Sequence, residues 1–200
     1  MKTNVENIKA IYQLASAAER ADGSSWYPVS HCVALELADR YKVTECQAIG
    51  VIAALYPRNR WERNVHDAEA LISAYVAAGP AQAMLTKVCT FTNNKNKAVK
   101  ILQAVNPTAD DVRAILSGPK LKEFFSCILG SRKEICVDGH AYCIWNGGRT
   151  GLKDVPAIGI KLRREIKADY AEAAEALDVP PSALQATTWV AWRRIHGVTK

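Results

Sequence analysis

Apolar residues recur at spacings of three and four along almost the whole of this 200-residue chain. The pattern runs through "IKAIYQLASAAERA", "HCVALELADRY", "ECQAIGVIAALY", "VHDAEALISAYVAAG" and "KNKAVKILQAV". It continues in "ADDVRAIL", "KLKEFFSCIL", "IKLRREIKADYAEAAEAL" and "PSALQATTWVAWRRI". That period is the mark of amphipathic helices, and no pair of alternating segments joined by a tight turn interrupts it. Thr44, the acids of "TADD" and the prolines of "VPPSALQ" mark helix starts, while Gly79-Pro80, Gly130 and Gly147-Gly148 mark stops. The expectation is an all-α fold of about nine or ten short helices without internal repeats. Two lobes are expected around a cleft, one over about 40–135 with a helical hairpin at 112–130, the other over 1–39 plus 136–200. The loosest stretch, "NGGRTGLKDVPAIG", leads to a C-terminal pair of helices.

Composition adds exclusions. Apolar residues make up 49% and charged residues 23%, which is ordinary for a globular domain. No apolar run reaches the roughly 18 residues that span a bilayer, and the N-terminus lacks an apolar signal core, so a cytoplasmic protein is expected. Six cysteines form no C-x-x-C pair and no zinc-finger spacing. They are expected as reduced, buried thiols, with neither metal nor cofactor.

Charge sharpens the picture. Lysine and arginine number 26 against 20 acids, and nine of the basic residues fall between Thr86 and Lys133 against three acids. This one stretch therefore carries the whole net charge of +6. Concentrated positive charge suits a polyanion, most often nucleic acid, although a solvated basic face explains it equally well.

Two stretches carry candidate chemistry. In "ILSGPKLKEFF" a helix ends, Ser-Gly-Pro turns, and a second helix begins. Gly118 is expected to supply the backbone freedom of that turn, and the N–H groups beyond it favour a phosphate. In "RKEICVDGHAYCIWNGGR" a short apolar run leads into Asp138, directly before a helix. A carboxylate there is either a helix cap or a catalyst, and the roles are compatible. Eighteen residues before it stands Lys120, whose amine can attack carbon as a Schiff-base former.

The segment "LSGPKLKEFFSCILGSRKEICVDGHAYCI" resembles the core of the helix-hairpin-helix DNA glycosylases. Those proteins carry a Leu-Pro-Gly-Val-Gly-x-Lys-type hairpin, one helix, then an apolar run into Val-Asp-x-His. Val137-Asp138-Gly139-His140 matches the last element, while Gly118 and Lys120 match the end of a shortened hairpin. "VCTFTNNKNKAVKILQAV" resembles the entry to the preceding helix, and "CQAIGVIAALYPRNRWERNVHDA" the helix and loop that penetrate DNA. The likeness covers about residues 40–145. A group of short phage-associated relatives is similar through the "YPRNRWE" and "QATTWVAWRR" segments.

The resemblance implies a two-lobed helical fold, an extruded nucleotide and cleavage of its N-glycosidic bond. A modified base is the easier one to extrude. Asp138 is then the catalytic carboxylate. Lys120 is the Schiff-base residue of a combined glycosylase and strand-cleaving lyase, or, if it points away, yields to water in a monofunctional enzyme. Lys122 is the weaker substitute. Arg58 and Asn59 are the candidates to enter the duplex, with helix capping the alternative for Asn59. Lys95 and Lys97 are expected at phosphates, and His140 is read as a phosphate contact or a polar core residue. The iron–sulfur cluster of some relatives is not expected. The implied partner of this expected monomer is double-stranded DNA bearing a modified base, such as a hypermodified phage pyrimidine in an anti-phage or phage setting. The alternatives are a base-remodelling transferase on the same fold and a DNA-binding module without chemistry.

Overall fold

The computed structural model describes residues 3–57, 59–151 and 153–197. Within them the chain is all-helical, in the order α1 (Asn4–Gln13), α2 (Ala17–Tyr41), α3 (Glu45–Leu55), α4 (Trp61–Leu85) and α5 (Thr92–Gln103). There follow α6 (Ala109–Leu116), α7 (Pro119–Ile128), α8 (Gly139–Asn146), α9 (Ile160–Ala176) and α10 (Pro181–Ile195). The chain divides into two compact units, Met1–Pro28 with Gly130–Lys200, and Val29–Leu129. The expected lobes changed over near 40 and 135; the observed units change over at Pro28 and Leu129.

Local chemistry sets most helix starts. Thr3 with Glu6, Thr44 with Gln47 and Thr108 with Asp111 form capping boxes at α1, α3 and α6. The N-terminal stretch expected as one helix is two. It breaks at Leu14, and Ser16 and Glu19 make a further reciprocal pair at the start of α2, at 2.8 and 3.2 Å. In turn, α2 continues through Gly23 and through Pro28, which has no N–H to give the helix. The expected stop at Gly79-Pro80 is a break inside α4, with Ala78 and Gly79 both non-helical.

In the unit Val29–Leu129, α3 is the centre. It packs against α4, α5, α6 and α7, and every residue from Gln47 to Leu55 is buried. A helix apolar on all sides belongs inside. Gly50 sits in its middle, where a Cβ would come 2.7 Å from Val112 Cγ1 and 3.1 Å from Ile101 Cγ2. Close approach of α5 and α6 thus offsets the roughly 0.5–1 kcal/mol that a mid-helix glycine costs. Gln47 does double service, closing its capping box and donating Nε2 to the carbonyls of Leu102 and Ala104 at the end of α5.

The other unit has its own core. Ile8, Ile135, Val137, Ile144, Tyr170 and Trp192 meet there from α1, the segment before α8, and α8 to α10. Gly23 of α2 lies so close to α10 that a Cβ would be 2.4 Å from the Thr187 Cα. Of the six cysteines, Cys127, Cys136 and Cys143 are buried as expected, while Cys32 and Cys89 are exposed. Cys32 turns to the outer side of α2, and Cys89 falls in the loop after α4, where the surrounding apolar residues are not a helix face.

Candidate functional site

The apolar run before Asp138 is core: Ile135, Cys136 and Val137 are each at most 5% exposed. Burying it fixes the backbone that follows, and α9 holds it from outside. Arg163 donates Nη1 to the Val137 carbonyl at 2.9 Å, and Lys167 pairs with Glu134 at 2.5 Å. Asp138 then emerges half-buried as the N-cap of α8. Its Oδ1 accepts the backbone N–H groups of His140 and Ala141, both at 3.0 Å. Both bonds fall on one oxygen, so capping holds the carboxylate in a fixed orientation through Oδ1. Below it lies the Tyr170 phenol, fully buried. Burial pushes its pKa up, the hydrogen bond shared with Thr188 opposes that, and the Asp138 charge adds to the rise. Tyr170 is therefore a neutral donor at any physiological pH.

The hairpin joining α6 and α7 differs from expectation in which residue makes the turn. Gly118 has ordinary extended geometry (φ −78°, ψ 142°), and a Cβ there would meet nothing within 4 Å. Ser117 takes the positive φ instead, at 60° with ψ −47°. Gly118 N–H bonds the Leu116 carbonyl at 2.7 Å across it. This is a γ-turn of the rare positive-φ kind, strained for a residue with a Cβ. Helix α7 then begins with Gly118 and Pro119, with no side-chain cap and no acid in its first turn.

Lys120 follows in that first turn, half-buried, with Nζ 5.5 Å from the centre of the Tyr56 ring. Tyr56 stacks in turn on Phe124 of α7, at 4.2 Å and 21°. The hairpin and the loop after α3 are thereby brought together. Lys122 is half-buried too, but two residues on it faces elsewhere round the helix. Arg58 lies outside the described residues. Asn59 turns inward: its Nδ2 donates to Asp67 Oδ2 at 3.1 Å, and its Oδ1 accepts the Arg60 N–H at 3.0 Å.

Asp67 was not singled out from the sequence, and it organises this corner. It is 1% exposed and accepts from Arg63 Nε at 2.8 Å and from the Cys89 N–H at 2.7 Å, besides Asn59. Burial alone would raise its pKa, but the Cys89, Arg63 and Asn59 hydrogen bonds together carry it below the usual aspartate value. A signal existed in "RNRWERNVHD": Arg63 and Asp67 stand one helical turn apart. Its bonds to Asn59 and Cys89, however, exist only in the folded chain.

Lys95, expected at a phosphate, is turned inward. Its Nζ donates to the carbonyls of Met84 and Thr86 at the end of α4, and burial lowers its pKa. Arg113 is likewise engaged, by Ser126 at 3.1 Å and Asp110 at 2.8 Å. Lys97 is half-buried on another side of α5, in a concavity described below. Asp138 and His140 thus belong to one unit; Gly118, Lys120, Lys122, Asn59, Lys95 and Lys97 belong to the other.

Among the described residues no group of three His, Cys, Asp or Glu side chains could hold a metal ion. Nor is any described helix long and apolar enough to cross a membrane. The fold and these groups define an all-helical protein with a carboxylate at one short helix start and a basic hairpin at another. The chain belongs to DUF7178, a family of unknown function, whose pattern it matches over residues 1–196. No curated protein and no solved structure matches it.

Proposed function

We propose that this chain is a DNA glycosylase that extrudes a modified nucleotide and cleaves its N-glycosidic bond. The observation that carries the reading is Asp138. A buried apolar run and two backbone N–H groups fix this carboxylate at a half-buried helix start. Such a group is suited to face a sugar that becomes cationic as the base departs. The bond between C1′ and the base nitrogen breaks, and its electron pair leaves with the base. Water adds to C1′ and gives up a proton, leaving an abasic site. Asp138 supports the positive sugar and orients the water.

The basic hairpin supports the DNA part of the reading. A helix start without acid or side-chain cap, flanked by Lys120 and Lys122, favours a phosphate oxygen. In a lyase variant of the chemistry an amine replaces water at C1′, giving up a proton, and leaves a Schiff base; Lys120 is the amine that the sequence nominates.

Release of free base from duplexes carrying modified bases tests the proposal, with Asp138→Asn as the decisive variant. Asparagine caps a helix about as well as aspartate, so the fold remains while the charge is lost. Unchanged base release in Asp138→Asn would overturn the mechanism. Borohydride trapping of a protein–DNA adduct, lost in Lys120→Ala, identifies the lyase; trapping that persists assigns the amine elsewhere.

A further inference from the structure

The unit Val29–Leu129 contains a concavity of about 930 Å3 built from three helices. Its apolar lining is Pro80, Ala81 and Met84 from the end of α4, Val99 from α5, and Ala114 and Ile115 from α6. Its rim is one stripe of α5, with Asn93, Asn96, Lys97, Lys100 and Gln103 at helical spacings of three, one, three and three. The α4 wall is held in place. It begins after the break at Ala78 and Gly79, and Lys95 clamps its far end through the Met84 and Thr86 carbonyls.

Two features of the lining choose its occupant. The first is charge: among the described residues, two lysines and no carboxylate face the concavity. The nearest acids of α6 are engaged at its other end, Asp110 by Arg113 and Asp111 by Thr108. The occupant is therefore anionic. The second is that, among the described residues, no aromatic ring or arginine lines it, so a single nucleic-acid strand would find nothing there on which to stack its bases. A duplex backbone would have nothing to set against six aliphatic side chains. A peptide fits both. The carboxamides of Asn93, Asn96 and Gln103 can each donate and accept, as a main chain requires. Met84 adapts to an aliphatic side chain. The stripe from 93 to 103 is about 15 Å long, the reach of four or five extended residues.

We propose that this groove docks an acidic, leucine-bearing peptide segment of a protein partner. The assignment does not rest on base excision, and either can fail without the other. Fluorescence anisotropy with a dye-labelled peptide of about twelve residues, alternating acidic residues with leucine, provides the test. Two variants act on independent features. Lys97→Glu with Lys100→Glu reverses the rim, and Ala114→Trp places bulk in the concavity from an exposed position. Each is expected to weaken binding about tenfold or more, as is replacing the peptide leucines by serine. Lys120→Ala in the hairpin should leave peptide binding unchanged, which separates this groove from the DNA surface. Equal binding by both groove variants overturns the proposal, as does absence of binding up to about 1 mM. Displacement of the peptide by an equal or lower concentration of a thymidylate strand would make the groove a nucleic-acid site and overturn it too.

Discussion

Helices α7 and α8 are both short and both begin at a candidate functional residue, yet their starts are opposite in chemistry. At α8 the chain supplies its own anion, and Asp138 binds the N–H groups of His140 and Ala141. At α7 it supplies none: Gly118 has no side chain, Pro119 no N–H, and the first turn carries Lys120 in place of an acid. A start that holds its own carboxylate has no need of a phosphate, whereas one without a cap attracts an external anion. Openness alone does not make a site, since α5, α9 and α10 also begin without side-chain caps. What distinguishes α7 is the strained turn before it, because α5 and α9 also carry basic residues after an uncapped start.

The largest effect should come from removing the charge at α8. Asp138→Asn is expected to lower base release by about 10²–10⁴-fold. Its stability should stay near that of wild type, because asparagine keeps the cap. Asp138→Ala should lose the activity and about 1 kcal/mol of stability as well. Denaturant midpoints beside base-release rates separate the two roles.

Salt dependence addresses the basic stretch next. Of the nine basic residues between Thr86 and Lys133, Lys95 and Arg113 are engaged within the fold. With Lys97 and Lys100 on the rim of the peptide groove, at most five are left for phosphates, so log affinity should fall against log salt with a slope no steeper than about −4.5. A flat response would place the charge away from DNA. Within the same surface, Gly118→Ala is the finer probe. A Cβ at 118 meets open space and the backbone is ordinary, so stability should change by less than about 1 kcal/mol. If a phosphate rests against this backbone, DNA affinity should drop about tenfold, read by titration at fixed salt. Unchanged affinity would leave the glycine without a ligand.

The turn itself offers a smaller and opposite effect. Ser117→Gly removes a Cβ from a positive-φ position and should stabilise the protein by about 1 kcal/mol, less the entropy that glycine adds to the unfolded chain. A raised denaturant midpoint at unchanged slope is the expected result.

These residues also mark what the sequence could disclose. Helical period made the all-α fold legible, and the caps at Thr44 and Thr108 were readable because both partners of a capping box lie within four residues. The burial of Ile135–Val137 was readable from the run itself. What escaped was set by distant partners. Gly23 lies inside α2 with Thr187 of α10 crossing close beside it, an approach that no local pattern announces. Lys95 looked like a surface cation because the carbonyls it holds are nine and eleven residues away, beyond the reach of any local helical pattern. The break between α1 and α2 was hidden in an alanine-rich stretch whose period runs on unbroken through Ser16.

A third helix start supplies the control for Asp138. Glu19 stands in the first turn of α2 and accepts the Ser16 N–H at 2.8 Å, much as Asp138 accepts from its own helix. Arg194 engages both of its oxygens, Nε at 2.6 Å from Oε1 and Nη2 at 3.2 Å from Oε2. The Arg194 hydrogen bond, aided by Ser16 against the opposing effect of burial, lowers the Glu19 pKa from 4.5 to about 2. A carboxylate whose folded pKa is depressed contributes stability that is present above its unfolded pKa and lost as pH falls through the folded one. The contribution of Glu19 should therefore fade between pH 4.5 and about 2. In Glu19→Gln that part of the acid dependence should disappear, while base release stays at the wild-type rate. If Glu19→Gln instead lost activity as Asp138→Asn does, the two carboxylates would be alike in role. The loss in Asp138→Asn would then reflect a general need for carboxylates rather than chemistry at α8.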